Sequence, residues 1–392
     1  MYHPALIHDL QASTLPTPCY VIDRDRLTAN LRILRDVADR SGARILLAQK
    51  AFSAHALYPL IAQYLDGTTA SGLYEARLGH EKMGERETHI FSPAYTEREF
   101  PTVLSICDHV VFNSVSQWQR HRSTALAAQA QNPHLSYGLR INPEHSTQDH
   151  AIYDPCAPGS RLGIRAAQMS PELMTGIDGL HFHTLCEQNS DALESTLAAV
   201  EQSFAPYLRQ IRWLNLGGGH HITRDDYDRE RLIQIIRRLR DQYHVTVYLE
   251  PGEAVALNAG FLVTRVIDLI ENDGHIAILD ASAACHMPDV LEMPYQPPLW
   301  NADKNGEKDS KKPYCYKLTG PTCLAGDIIG EYRFDQPLQI NDPLIFYDMA
   351  IYTMVKNNTF NGMPLPAILY REDAGQIRTL REFGYEDFVG RI

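Results

Sequence analysis

A chain of 392 residues with 44% apolar side chains is long enough for one large core and a smaller one. Its formal net charge of −12 argues against nucleic acid as a partner and suits a cationic small molecule. Seven scattered cysteines without a CxxC pair give neither a disulfide framework nor a zinc site. No apolar run reaches about eighteen residues and no basic-then-apolar leader follows Met1, so a cytoplasmic protein with no membrane span is expected.

In chain order, Thr17–Asp23 reads as a proline-bounded strand. Arg24–Ser41 carries Leu27, Leu31, Leu34 and Ala38 at helical spacing, with Gly42 as the stop. Ile45–Ala48 is a short buried strand that runs into Lys50. A helix over Ala54–Tyr64, the stretch Gly67–Ser71 and a helix over Leu73–Met83 follow. Further strands are expected at Thr88–Ser92, His109–Asn113, Ser136–Ile141, Gly179–His183, Trp213–Leu216 and Val245–Leu249. Helices lie between most of them, notably Asp191–Tyr207 and Asp225–Gln242. Such alternation predicts a parallel sheet, and about eight units ending near Glu250 suit an α/β fold of the (β/α)8 TIM-like barrel type; a doubly wound sheet is the alternative. After Pro251 the texture becomes β-rich: Phe261–Glu271, Ile276–Leu279, Tyr314–Thr319, Leu344–Phe346 and Ala367–Arg371 read as strands. The expected division is a barrel over 24–255 and a β-rich domain made of 1–23 with 256–392. The charged stretch Ala302–Lys312 reads as an exposed, mobile loop.

Five stretches carry chemistry. Lys50 ends a buried strand, where an amine is costly unless it is used; it either snorkels to the surface or is held with a lowered pKa, ready to attack a carbonyl. Gly217-Gly-Gly219 after a late strand is either a flexible turn or a nest of backbone N–H groups for a phosphate. Glu250 in Glu250-Pro-Gly-Glu253 ends the next strand, either as an ordinary salt-bridge partner or as the carboxylate that keeps a pyridine nitrogen protonated. His181 and His183 alternate onto one strand face; no third ligand has suitable spacing, so a metal is disfavoured and one imidazole stacked on a ring is favoured. Cys323, in Gly320-Pro-Thr-Cys323, is either an inert loop thiol or a proton donor.

As a set these stretches resemble the fold-type III, pyridoxal-phosphate-dependent basic amino acid decarboxylases, relatives of ornithine and diaminopimelate decarboxylase, over nearly the whole chain. The resemblance implies that Lys50 carries pyridoxal 5'-phosphate. His183 would stack on its ring, although Leu185 and Cys186 replace the family's Gly-Ser. Gly217, Gly218, Gly219 and Tyr352 would hold the phosphate, Glu250 the pyridine nitrogen, and Arg140 would stand near the cofactor. Cys323 would return a proton to Cα across a homodimer with shared active sites.

Two positions depart from the pattern. Glu253 stands where the family has a phosphate-binding arginine, and Leu324 where it has an acid for the distal end of the substrate. These departures, with the Cys285–Tyr295 segment, resemble the branch acting on carboxynorspermidine and carboxyspermidine. Glu253 and Asp289 are then expected to meet the amines of such a carboxytriamine, though Asp289 equally suits a turn or helix cap. A racemase is disfavoured by Glu250 and Cys323, and an inactive homologue by the retained Lys50, glycines and Cys323.

Overall fold

The computed structural model describes residues 4–11, 15–148, 150–307 and 310–392, so Met1-Tyr-His3, Lys308 and Asp309 lie outside it. Two compact units divide the chain: residues 30–255 form one, and residues 1–29 with 256–392 form the other. No helix among the described residues is long and apolar enough to cross a membrane.

In chain order the strands are β1 (Cys19–Asp23), β2 (Arg44–Ala48), β3 (Gly67–Ala70), β4 (Glu87–Phe91), β5 (His109–Phe112), β6 (Ser136–Asn142), β7 (Ile164–Arg165), β8 (Gly179–His181), β9 (Trp213–Asn215) and β10 (Thr246–Leu249). In the larger unit β2, β3, β4, β5, β6, β8, β9 and β10 pair in parallel, and β10 returns to β2 through Tyr248↔Arg44 and Leu249↔Ile45. That closure makes a barrel and rules out the doubly wound sheet. The two-residue β7 is an addition to β6.

Local chemistry explains the elements. The strands are short and almost wholly buried, as parallel strands covered on both faces must be. Arg229–Tyr243 starts later than expected because the Asp228 side chain accepts the N–H of Arg231 and caps the helix there. Its Leu232, Ile233, Ile236 and Leu239 are buried, each worth about 1.5–3 kcal/mol. The helix expected over Ala54–Tyr64 shrinks to a 3-10 turn, His55–Leu57, and one helical turn, Tyr58–Ile61.

The other unit contains β1 and the strands β11 (Gly260–Glu271), β12 (His275–Leu279), β13 (Asp303–Lys304), β14 (Tyr314–Thr319), β15 (Ile328–Phe334), β16 (Pro343–Tyr347), β17 (Ala367–Arg371) and β18 (Ile377–Arg381). They form one mixed sheet in the order β13-β15-β14-β12-β11-β1-β17-β18, with β16 also on β11. The fully buried β1 is antiparallel to β11 and parallel to β17. Within the stretch expected to be a loop, β13 pairs with β15, and Lys312 donates to the Asn301 carbonyl at 2.8 Å and pairs with Asp303 and Asp335 at 3.5 Å. Opposite charges at the right spacing thus tie down the described part of a segment whose composition alone reads as loop.

Candidate active site

Most of the barrel residues singled out by sequence sit at one end, the carboxyl ends of the parallel strands, where barrel sites are built. Lys50 stands two residues past β2 on a braced turn. The Ala51 N–H donates to the Ala48 carbonyl, Ser53 Oγ to the Gln49 carbonyl at 2.6 Å, and Tyr58 Oη to Gln49 Oε1 at 2.9 Å. Lys50 remains reachable by solvent. Even so, the protein packed around it, and after that the Arg140 charge, draws its amine below the usual lysine range, against the pull of Glu250.

Glu250 immediately follows β10 and is buried. Asn215 Nδ2 donates to its Oε1 at 2.8 Å, and His181 Nε2 lies 3.2 Å from its Oε2. Burial opposes ionisation, but His181 and Asn215 outweigh it and hold the carboxyl below the usual glutamate range. Burial in turn keeps His181 towards its neutral form. We therefore take Glu250 as the ionised partner and His181 as a neutral imidazole donating from Nε2. Arg140, at the buried end of β6, donates to the His183 carbonyl at 3.0 Å and lies over the Phe91 ring at 4.5 Å; burial lowers its pKa to about 10.

The histidine pair separates. The strand stops at His181, so the alternation does not extend to His183. His181 turns to Glu250, whereas His183 Nδ1 accepts the N–H of Gly218 at 2.8 Å. That bond leaves Nε2 to carry the proton of the neutral ring. Neither histidine belongs to a metal-ligand cluster among the described residues.

The triple glycine is also more constrained than a free nest. Gly217 and Gly219 have φ of 70° and 79°. A Cβ on Gly218 would lie 2.5 Å from the Glu250 carbonyl oxygen and 3.1 Å from the His183 ring. Two of the three expected N–H donors are already used, Gly217 on Asn215 Oδ1 and Gly218 on His183. The structure thus corrects the picture of three open donors.

Glu253 begins a one-turn helix, Glu253–Ala256, with its Oε2 3.3 Å from His221 Nε2. In the other unit, Cys323 is exposed, and its N–H donates to Asn361 Oδ1 at 2.8 Å. Its loop is knotted by the buried Asp327, which accepts from Thr322 Oγ1 at 2.7 Å and Ser282 Oγ at 2.9 Å. Tyr352 is half-buried with φ of 50°. Asp289 pairs with Lys356 at 2.5 Å, so its carboxylate already has a cation.

Sequence reasoning did not find Asn215, Phe91, Gln49, His221 or Asp327. Asn215 and Phe91 lie on strand ends beside residues that were singled out, and position on the barrel rim is the one signal that could have raised them.

Residues 19–350 match the family model described as "Pyridoxal-dependent decarboxylase, C-terminal sheet domain". The chain belongs to the pyridoxal-dependent decarboxylases. Within that family it is 42% identical to the carboxynorspermidine/carboxyspermidine decarboxylase of Campylobacter jejuni over 95% of this chain and 98% of that one. It is also 42% identical to the carboxyaminopropylagmatine decarboxylase of Synechocystis over 99% and 98%. The crystal structure of carboxynorspermidine decarboxylase complexed with norspermidine from Campylobacter jejuni superposes with a TM-score of 0.89, covering 96% of this chain and all of that chain at 42% identity.

The barrel fits the cofactor of this decarboxylase family on its own geometry. It offers an amine with a lowered pKa, a glycine loop that leaves no room for side chains, and a buried carboxylate kept ionised for a protonated ring nitrogen.

Proposed function

We propose that this decarboxylase converts carboxynorspermidine and carboxyspermidine to norspermidine and spermidine. The observation that carries the reading is the 42% identity to the Campylobacter jejuni enzyme along nearly the full length of both chains. Bound pyridoxal phosphate supplies an electron sink for the pair left on Cα when CO2 departs.

The residues of this chain do the rest. Lys50 would hold the cofactor covalently through its amine. Glu250, kept ionised by Asn215 and His181, fixes a proton on the ring nitrogen. His183, oriented by Gly218 and Arg140, would support the ring, and the glycine loop, through the Gly219 N–H that is not spent on Asn215 or His183, would hold the phosphate together with Tyr352. Cys323 supplies the proton that Cα takes up, from the partner subunit of a cytoplasmic homodimer. Glu253 and Asp289 meet the cationic amines of the substrate, Asp289 by exchanging its bond to Lys356.

A second reading has equal support in identity. The Synechocystis relative acts on carboxyaminopropylagmatine, so a guanidinium could replace the distal amine. Release of CO2 from the three carboxylated polyamines, set beside diaminopimelate, ornithine and arginine, tests both. Preference for carboxynorspermidine or carboxyspermidine is expected. Preference for carboxyaminopropylagmatine selects the second reading, and preference for diaminopimelate, ornithine or arginine overturns both.

A further inference from the structure

Three loops, those that follow β6, β8 and β9, meet at one residue, Gln188. Its backbone is joined to the glycine loop. The Gln188 N–H donates to the Gly219 carbonyl at 3.0 Å, and the His221 N–H donates to the Gln188 carbonyl at 3.3 Å. This parallel bridge carries the pairing of β8 with β9 past the strand ends. Its side chain is joined to the loop after β6. Oε1 accepts from Thr147 Oγ1 at 2.8 Å and from Gln148 Nε2 at 2.7 Å, and Nε2 donates to the Thr147 carbonyl at 2.5 Å. A side-chain amide has two acceptor and two donor positions, so three of the four are taken by Thr147 and Gln148. Gln148 Nε2 also donates to the Thr184 carbonyl at 2.8 Å, and His145 Nε2 lies 2.8 Å from Ser195 Oγ. Glu187, just before Gln188, is kept at φ of 53°, a conformation that residues other than glycine rarely adopt and that only surrounding structure sustains. Gly219 is confined in turn: its φ is 79°, and a Cβ there would overlap the Leu185 carbonyl.

We infer that Gln188 is a positioning residue for the cofactor phosphate: it ties the loop after β6 to Gly219, so that phosphate binding and the ordering of residues 144–148 are one event. This rests on the reading above that the glycine loop holds the phosphate. A backbone N–H serves an anion best when it is aimed beforehand, because ordering it at the moment of binding lowers affinity. Gln188 aims Gly219 by gripping its carbonyl, while Leu185 crowds the glycine Cα. The hydrogen bonds of Thr147 run to the side chain of Gln188, and the backbone of Gln188 carries them on to Gly219. The coupling is reciprocal by linkage: whatever loosens residues 144–148 weakens the phosphate, and the phosphate tightens residues 144–148. The loop so fixed begins just past Arg140 on β6, whose side chain holds the His183 carbonyl.

The test titrates the full chain, freed of cofactor, with pyridoxal 5'-phosphate and with pyridoxal, which lacks the phosphate. Gln188→Met keeps the length of the side chain without its amide. Thr147→Val removes the hydroxyl that faces Gln188 and nothing that faces the glycine loop, and it carries the same test should Gln188→Met fold poorly. Each variant should bind pyridoxal phosphate roughly three- to tenfold more weakly, on the order of one net hydrogen bond, and pyridoxal as the wild type does. The double variant should lose no more than Gln188→Met alone, because both substitutions break one link. Hydrogen exchange at the amides of residues 144–148 should slow when pyridoxal phosphate binds the wild type, and not in Gln188→Met. Equal losses for the two ligands would make Gln188 a general support of the barrel rim and overturn the inference, as would a Thr147→Val protein of unchanged affinity. A wild type that binds both ligands equally well overturns the phosphate reading and the inference with it.

Discussion

Glu250 shows how a single carboxylate is tuned here. Burial alone would neutralise it, yet two N–H groups, from Asn215 and His181, keep it charged. Lys50 is tuned in the opposite sense, with the protein packed around it and the Arg140 charge favouring the free amine. Borohydride reduction of the holoenzyme followed by peptide mapping should therefore place the pyridoxyl group on Lys50; label on Lys82 or Lys317 would defeat the assignment. Gly218 is set by space. A methyl group there meets the Glu250 carbonyl and the His183 ring, so Gly218→Ala should cost about 1–3 kcal/mol of stability. It should also weaken cofactor binding, read by denaturant melts of the apo protein and by titration with pyridoxal phosphate. An unchanged melt would show that the loop relaxes freely.

Among the elements, β4 and β5 carry a feature apart from the chemistry. His89 on β4 stacks on His109 of β5 with ring centroids 4.0 Å apart, and both pack near Tyr248. Burial lowers the pKa of His89 from the ordinary 6.5 to about 4 and drives that of His109 down as well. Below pH 6.5 the unfolded chain therefore takes up protons that the folded barrel refuses. The stability this pair contributes is complete above 6.5 and falls as the pH drops through about 4. The slope is about 1.4 kcal/mol per pH unit for each such group. Urea denaturation between pH 7 and 4 should show this loss, and His89→Gln should make it shallower. An unaltered slope would mean that other groups set the acid limit.

At the scale of the whole molecule, Cys323 and Lys50 belong to different compact units of the chain. If the thiol serves a partner's lysine, two inactive proteins can complement each other. Mixing Lys50→Ala with Cys323→Ala subunits should restore about one quarter of wild-type activity, since random exchange makes half the dimers mixed, each with one intact site. Absence of recovery despite demonstrated exchange would place both groups in one chain's site. The smaller unit also depends on the start of the sequence, because β1 is the buried strand between β11 and β17.

The sequence by itself determined the repeat of short apolar strands and helices, and hence the barrel, because burying a parallel strand on both faces demands continuous apolar runs that periodicity reveals. It also marked Lys50, the three glycines and Glu250, since a charge or a glycine run at the end of such a strand is costly without a use. The tertiary structure decided what each of these touches. Closure of β10 on β2 excluded the open sheet, a pairing between ends of a long stretch that no local pattern encodes. It turned His181 to Glu250 and His183 to Gly218, and it spent two of the glycine N–H groups on side chains. It gathered Glu187, His221 and Glu253 from two loops and the start of a one-turn helix, a meeting invisible along the chain because it depends on how strand ends converge in space. Strands β13, β15 and β18 were missed for a related reason: partly exposed strands mix charged and apolar residues, and their pairing partners, more than their own composition, hold them in the sheet.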